Sequence, residues 1–179
     1  MTDPVTRKTQ SQSRSKKHPK TLPDSASNAA PDFSSETQDI MVYPAQFENL
    51  DHVREFVGDA AQKCGLEASA IYAVQLAVDE GFSNIIDHAY GGECLDKIEC
   101  KCQIADAGLT ITLRDCGVPF DPTAIHDPDL TAELEERDIG GLGLYFIRQL
   151  MDEVEFSFMR DPETGKRCNV LRMRKRKEI

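Results

Sequence analysis

The chain lacks any uninterrupted apolar run of about 18 residues, the length that a membrane-spanning helix requires, and its amino terminus has no signal-peptide pattern. A soluble, cytoplasmic protein with no membrane partner is therefore expected. The six cysteines (Cys64, Cys94, Cys100, Cys102, Cys116 and Cys168) contain no CxxC pair and no zinc-ligand spacing. Cys100 and Cys102 alternate on one strand face and read as small buried residues, so neither a metal nor a disulfide role is expected. Large apolar residues are nearly absent from residues 1–36, which are rich in Ser, Thr, Pro, Lys and Asn. Such a segment cannot bury enough surface to offset the entropy of ordering, and disorder is expected there. No internal repeat is visible.

Basic charge is scarce wherever a core could form. The 179 residues carry a net charge of −10. Residues 1–20 hold six basic residues and one acid, and 172–178 hold five and one. That leaves 10 basic and 29 acidic residues in 21–171, a balance of −19. An acidic body argues against nucleic-acid binding by the folded part. It favours a basic protein partner, or a site where a metal neutralises a polyanion. The length suits one domain over 37–175, flanked by a basic tail at 1–36 and another at 176–179.

The apolar pattern predicts a strand at Gln38–Tyr43, broken by Pro44, and a helix over Leu50–Cys64 ended by Gly65. A second helix runs from about Glu67 to Ala89 and stops at Gly91-Gly92. Ile98, Cys100, Cys102 and Ile104 form one alternating set, and Leu109, Ile111 and Leu113 form another, with a turn at Asp106-Ala-Gly108. Residues 116–141 show no period and read as a long loop. A third helix over Leu142–Met151 precedes a hairpin of Val154–Arg160 with Cys168–Arg174. Helices and hairpins segregated in this way predict an α+β two-layer sandwich, a mixed and mostly antiparallel sheet with helices on one face.

Three constellations could carry chemistry. In Glu80-Gly-Phe-Ser-Asn84-Ile-Ile-Asp87-His88, taking Glu80 as zero, Asn84 falls at about +40° and Asp87 at about −20° on a helical wheel. Ile71, Val74, Val78, Phe82 and Ile85 lie on the other side. Partly buried polar groups need partners, and a divalent metal with phosphates would supply them. An amphipathic helix with a wet polar face explains the same pattern. Asp115 continues the inward series Ile111, Leu113, and a carboxylate there is costly unless it is hydrogen-bonded. It could read the amino group of adenine, with Gly117 allowing close approach, or simply cap a turn. Gly140-Gly141-Leu142-Gly143 opens a helix, where free N–H groups and the helix dipole favour phosphate. No Lys-Ser/Thr follows, so this is not a P-loop.

The order and spacing of the three resemble the N, G1 and G2 boxes of the GHKL ATPase superfamily. The segments that carry the resemblance are Ala77-Val-Asp-Glu80-Gly-Phe-Ser-Asn84-Ile-Ile-Asp-His88-Ala-Tyr90, Asp115-Cys-Gly117-Val-Pro-Phe-Asp121-Pro and Gly140-Gly-Leu-Gly143-Leu-Tyr-Phe-Ile-Arg-Gln-Leu-Met151. The match is nearer to the small stand-alone branch, the anti-sigma factor serine/threonine kinases of bacterial partner-switching systems, and it covers roughly residues 38–174. It implies the Bergerat-type, histidine-kinase-like ATPase fold. By that resemblance Glu80 is the general base and Asn84 a ligand of Mg²⁺ on the ATP phosphates. Asp115 and Gly117 bind adenine, Gly141, Leu142 and Gly143 line the phosphates, and Asp87 and His88 lie near the nucleotide. Residues 123–139 form the ATP lid, where Arg137 could reach the γ-phosphate. The implied partners are a sigma factor, an anti-anti-sigma protein of the STAS type that is phosphorylated, and a second copy of the chain in a homodimer. Pro119 departs from the wider superfamily, which has a second glycine there; proline removes an N–H and stiffens the loop. No His-Arg-Asp or Asp-Phe-Gly signature of the eukaryotic kinase fold is present. The alternative is a non-catalytic ATP-binding switch module.

Overall fold

Period-two alternation of apolar residues decides the sheet, and period-3.6 repetition decides the layer that covers it. The computed structural model describes residues 8–9, 37–120 and 142–178. The strands are β1 (Lys8–Thr9), β2 (Thr37–Pro44), β3 (Lys97–Ala105), β4 (Gly108–Asp115), β5 (Glu153–Arg160) and β6 (Arg167–Arg176). The helices are α1 (Leu50–Cys64), α2 (Ala68–Asn84) and α3 (Leu142–Leu150). The sheet order is β1-β2-β3-β4-β6-β5, and every neighbouring pair is antiparallel. Within the segment expected to be disordered, Lys8 and Thr9 pair with Ile40 and Asp39 at the sheet edge. The remaining residues of 1–36, the lid at 123–139 with Arg137, and Gly140 and Gly141 lie outside the described residues.

One face of the sheet is apolar. Ile98, Cys100 and Cys102 of β3, Ile111 and Leu113 of β4, and Met173 of β6 are buried there. They pack against Val53 and Val57 of α1, Val74 and Phe82 of α2, and Ile147 of α3 in one contiguous core. Fully burying each such side chain contributes roughly 1.5–3 kcal/mol. Arg54 of α1 ties the helix layer together by donating from Nε and Nη2 to Asp79 Oδ2 of α2, at 2.9 and 2.7 Å. The open face is polar, and there Arg114 bridges Glu99 and Asp161, both at 2.9 Å.

Two expectations need correction. The second helix is not α-helical to Ala89: after Asn84 it widens into a π turn over Ile85–Ala89, and the Tyr90 N–H reaches the Ile85 carbonyl at 3.1 Å. Such turns concentrate at functional sites. The cysteines do include a disulfide, Cys116–Cys168, across 52 residues of sequence. No local spacing reveals it, because pairing of β4 with β6 is what brings the two together. Cys100 and Cys102 are free and buried, as their alternation predicts.

Candidate active site

Glu80 and Asn84 sit one turn apart on α2, half-buried, and the start of α3 is laid against them. A Cβ placed on Gly143 would stand 2.7 Å from Glu80 Oε2 and 3.1 Å from Asn84 Nδ2. A larger residue would push the ends of these two side chains aside, so glycine lets the α3 amino terminus approach them in their present positions. Leu142 opens the helix and is half-buried beside them. Among the described residues neither Glu80 nor Asn84 makes a side-chain hydrogen bond. An unbonded carboxylate and carboxamide thus stand beside a helix amino terminus. That set offers hard oxygen ligands to a cation and backbone N–H groups to phosphate.

Asp115 ends β4 with its side chain turned to the core face and only 3% of its surface exposed. Gly117 N–H and Asn169 Nδ2 both donate to the same oxygen, Oδ1, at 3.0 and 2.8 Å. Oδ2 receives no hydrogen bond from the described residues, and Asp115 lines a cavity. Burial pushes its carboxyl above the ordinary aspartate value, a shift that the Asn169 and Gly117 bonds oppose. Asn169 is β6's direct partner of Asp115. Its Nδ2 also donates to the Val118 carbonyl at 3.0 Å, and its Oδ1 accepts from Phe120 N–H at 3.0 Å. One buried amide therefore fixes both the carboxylate and the loop that follows it.

The cavity runs from Asp115 and Asn169 to Asn84, between walls of Ile85, Val118, Phe120, Leu144, Ile147 and Phe156. Phe120 and Phe156 face each other with ring centroids 5.4 Å apart. Apolar walls with a few convergent polar groups are the form of a small-molecule site. His88 lines the cavity from the π turn. Asp87 is exposed and outside the lining, because a widened turn departs from the 3.6-residue spacing behind its wheel position. Gly117 also serves a contact within the protein. A Cβ there would collide with the Ala89 carbonyl oxygen, so the glycine lets the loop close onto the end of the π turn. Val118 N–H bonds that same carbonyl at 2.7 Å. The Tyr90 hydroxyl accepts from Cys116 N–H at 3.3 Å and donates to the Lys97 carbonyl at 3.0 Å, and burial pushes its phenol up to about 12.

The structure therefore joins Glu80, Asn84 and Gly143 at one end and Asp115, Asn169 and Gly117 at the other. Sequence reasoning missed Asn169, although Asn169, Leu171 and Met173 form the same kind of inward series that singled out Asp115. The apolar walls carry no signal distinct from ordinary core, and the disulfide carries none at all.

Residues 43–175 match the histidine kinase-like ATPase domain family. A serine-protein kinase RsbW of Listeria monocytogenes is 31% identical over 119 residues, covering 64% of this chain and 76% of the relative. Those of Halalkalibacterium halodurans and Bacillus licheniformis are each 31% identical, over 64% of this chain and 72% and 74% of the relatives. Among the described residues no helix is long and apolar enough to cross a membrane. With the match running from the core tyrosine of β2 to the last turns of β6, and with all three motif segments inside it, the chain belongs to the histidine kinase-like ATPase family.

Proposed function

We propose that this protein is an ATP- and Mg²⁺-dependent protein serine/threonine kinase that also acts as an anti-sigma factor. The observation that carries the reading is a cavity lined by a buried acceptor, Asp115, and by Asn84, whose side chain is grouped with Glu80 and Gly143. The names of the relatives, serine-protein kinases, support it.

Adenine lies between the apolar walls with its exocyclic amino group donating to Asp115 Oδ2. Such a donor suits a carboxylate whose other oxygen is already taken. The phosphates meet the amino terminus of α3 at Leu142 and Gly143, with Gly141 proposed alongside. Asn84 is the protein ligand for Mg²⁺, its carbonyl oxygen being a hard donor without a competing hydrogen bond. Bound there, the ion supplies neutralisation of phosphate charge. Glu80, one turn away, takes the proton of the attacking seryl or threonyl hydroxyl. That oxygen forms the new bond to the γ-phosphorus as the bond to the ADP oxygen breaks. His88 contacts the nucleotide from the π turn, and Asp87 acts from outside the cavity lining. The substrate is a STAS-type anti-anti-sigma protein, the sequestered partner is a sigma factor, and the kinase works as a homodimer.

The test is transfer of the labelled γ-phosphate of ATP to the cognate STAS protein, with wild type and Glu80→Ala in parallel. The reading predicts transfer by wild type, and its collapse in the variant with ATP affinity retained. No transfer by wild type despite intact ATP binding would contradict the kinase and leave the binding-module alternative.

A further inference from the structure

Cys116 and Cys168 stand one position beyond the Asp115–Asn169 pair, Cys116 following the aspartate on β4 and Cys168 preceding the asparagine on β6. Their bond closes the two strands where β4 becomes the adenine-side loop. Each of the following hydrogen bonds has at least one partner within two residues of a bridged cysteine. Gly117 N–H holds Asp115, Asn169 holds Asp115 and the Val118 carbonyl, and Phe120 N–H holds Asn169. The Cys116 N–H itself is bonded to Tyr90.

The two cysteines differ in exposure. Cys168 is wholly buried, whereas Cys116 is partly exposed. Asp161 brings a carboxylate within 4.8 Å of both sulfurs, a grouping that could also suggest a metal site. Its oxygens are already committed, Oδ2 to Arg114 and Oδ1 to Glu163 N–H and Thr164. The grouping is therefore better read as a thiol pair beside a fixed ion pair than as a cation cage.

We propose that Cys116 and Cys168 form a reversible dithiol–disulfide couple that sets the rigidity of the adenine end and thereby nucleotide affinity. This deepens the ATP-site reading and rests on it. In reduction an external thiolate attacks the sulfur of Cys116, the more exposed residue of the pair, and the Cys116–Cys168 bond breaks. Cys168 leaves as thiolate and takes a proton. A second external thiol displaces Cys116 from the mixed disulfide, so two thiols become one disulfide and the protein gains two electrons and two protons. Oxidation is the reverse, with a small-molecule disulfide as oxidant. Reduced, the ends of β4 and β6 separate more readily, the Asn169 bonds open more often, and Asp115 is less well placed.

The experiment uses the full chain treated with oxidised glutathione or with dithiothreitol. Thiols are counted under denaturing conditions, exchange of the Gly117 and Phe120 amides is followed, and ATP affinity is measured with Mg²⁺. The oxidised chain should show four free thiols against six after reduction. Reduction should speed exchange at both amides and weaken ATP about fivefold or more. Cys116→Ser should match the reduced form whichever reagent is used. Six free thiols after oxidant, or affinity and exchange alike in both states, would overturn the proposal. The thiol count and amide exchange need no nucleotide. ATP binding absent in both states, with exchange still redox-dependent, would thus contradict the kinase reading while supporting the couple's control of rigidity.

Discussion

The two ends of the cavity are built on opposite principles. At the end proposed for adenine Asp115 is buried, shares a buried amide with the following loop, and is flanked by a covalent bridge. At the end proposed for the phosphates Glu80 and Asn84 make no side-chain hydrogen bonds among the described residues, and a glycine lets the α3 amino terminus come close to them. Recognition of a fixed heterocycle rewards groups whose positions are settled before binding, because the ordering cost is met during folding. Chemistry on a charged phosphate needs groups whose capacity is still free for ligand, cation and proton. A substitution at one end should therefore change binding with little effect on turnover, and at the other the reverse.

The largest effect is expected from Glu80→Ala. Losing a general base should lower phosphoryl transfer by about 10²–10⁴-fold. ATP affinity, measured separately by calorimetry, should hold within about threefold. If both fall together, the two ends are not distinct. Next is Asp115→Asn, which offers an amide where the nucleotide donates. ATP affinity should drop by about 10–100-fold, consistent with roughly 1.5–3 kcal/mol for a hydrogen bond to a charged group. Transfer at saturating ATP should change far less.

Asn169→Ala sharpens the comparison from the protein side. It strips partners from Phe120 N–H and the Val118 carbonyl, and should lower unfolding stability by about 1–3 kcal/mol in denaturant titration. It should weaken ATP as well, whereas Glu80→Ala should leave stability unchanged. Gly143→Ala tests the other end without replacing a reacting group. Its methyl group would meet Glu80 and Asn84, so the turnover number should fall several-fold with stability nearly constant.

The smallest effect concerns pH. The folded Asp115 carboxyl titrates above its ordinary value of 3.8 because burial disfavours its charge. Since the folded state holds this proton more tightly than the unfolded chain, protonation by itself stabilises the fold. The same proton removes a charged acceptor, so ATP affinity should decline on acidification while pH is still above 3.8. Affinity measured in steps below neutrality should show that decline in wild type and a flatter profile in Asp115→Asn.

Most of this architecture is legible in the sequence because it rests on local periodicity. The α1 span Leu50–Cys64, the β3–β4 hairpin and the start of α3 at Leu142 follow from apolar spacing and turn residues alone. Asp115 stands out because a charge interrupts an inward series. Asn169 interrupts one in the same way, but its side chain is neutral and so breaks the pattern less sharply than a charge does. The π turn escaped because it differs from an α-helix by a single hydrogen-bond offset, which side-chain pattern does not encode. The Cys116–Cys168 bridge escaped because it depends on which strands become neighbours: β6 inserts between β4 and β5, a fact of topology rather than of spacing. The contact of Gly117 with the Ala89 carbonyl is similarly tertiary.

The most direct test of the central claim is calorimetric titration of the oxidised chain with ATP and with inosine triphosphate, each with excess Mg²⁺. Inosine triphosphate keeps the phosphates but replaces the exocyclic amino group with an oxygen that would face the Asp115 carboxylate. The account predicts saturable binding of ATP and affinity for inosine triphosphate lower by about tenfold or more, with the difference abolished in Asp115→Asn. Equal affinity for the two nucleotides in wild type, or no binding of ATP at all, would contradict it.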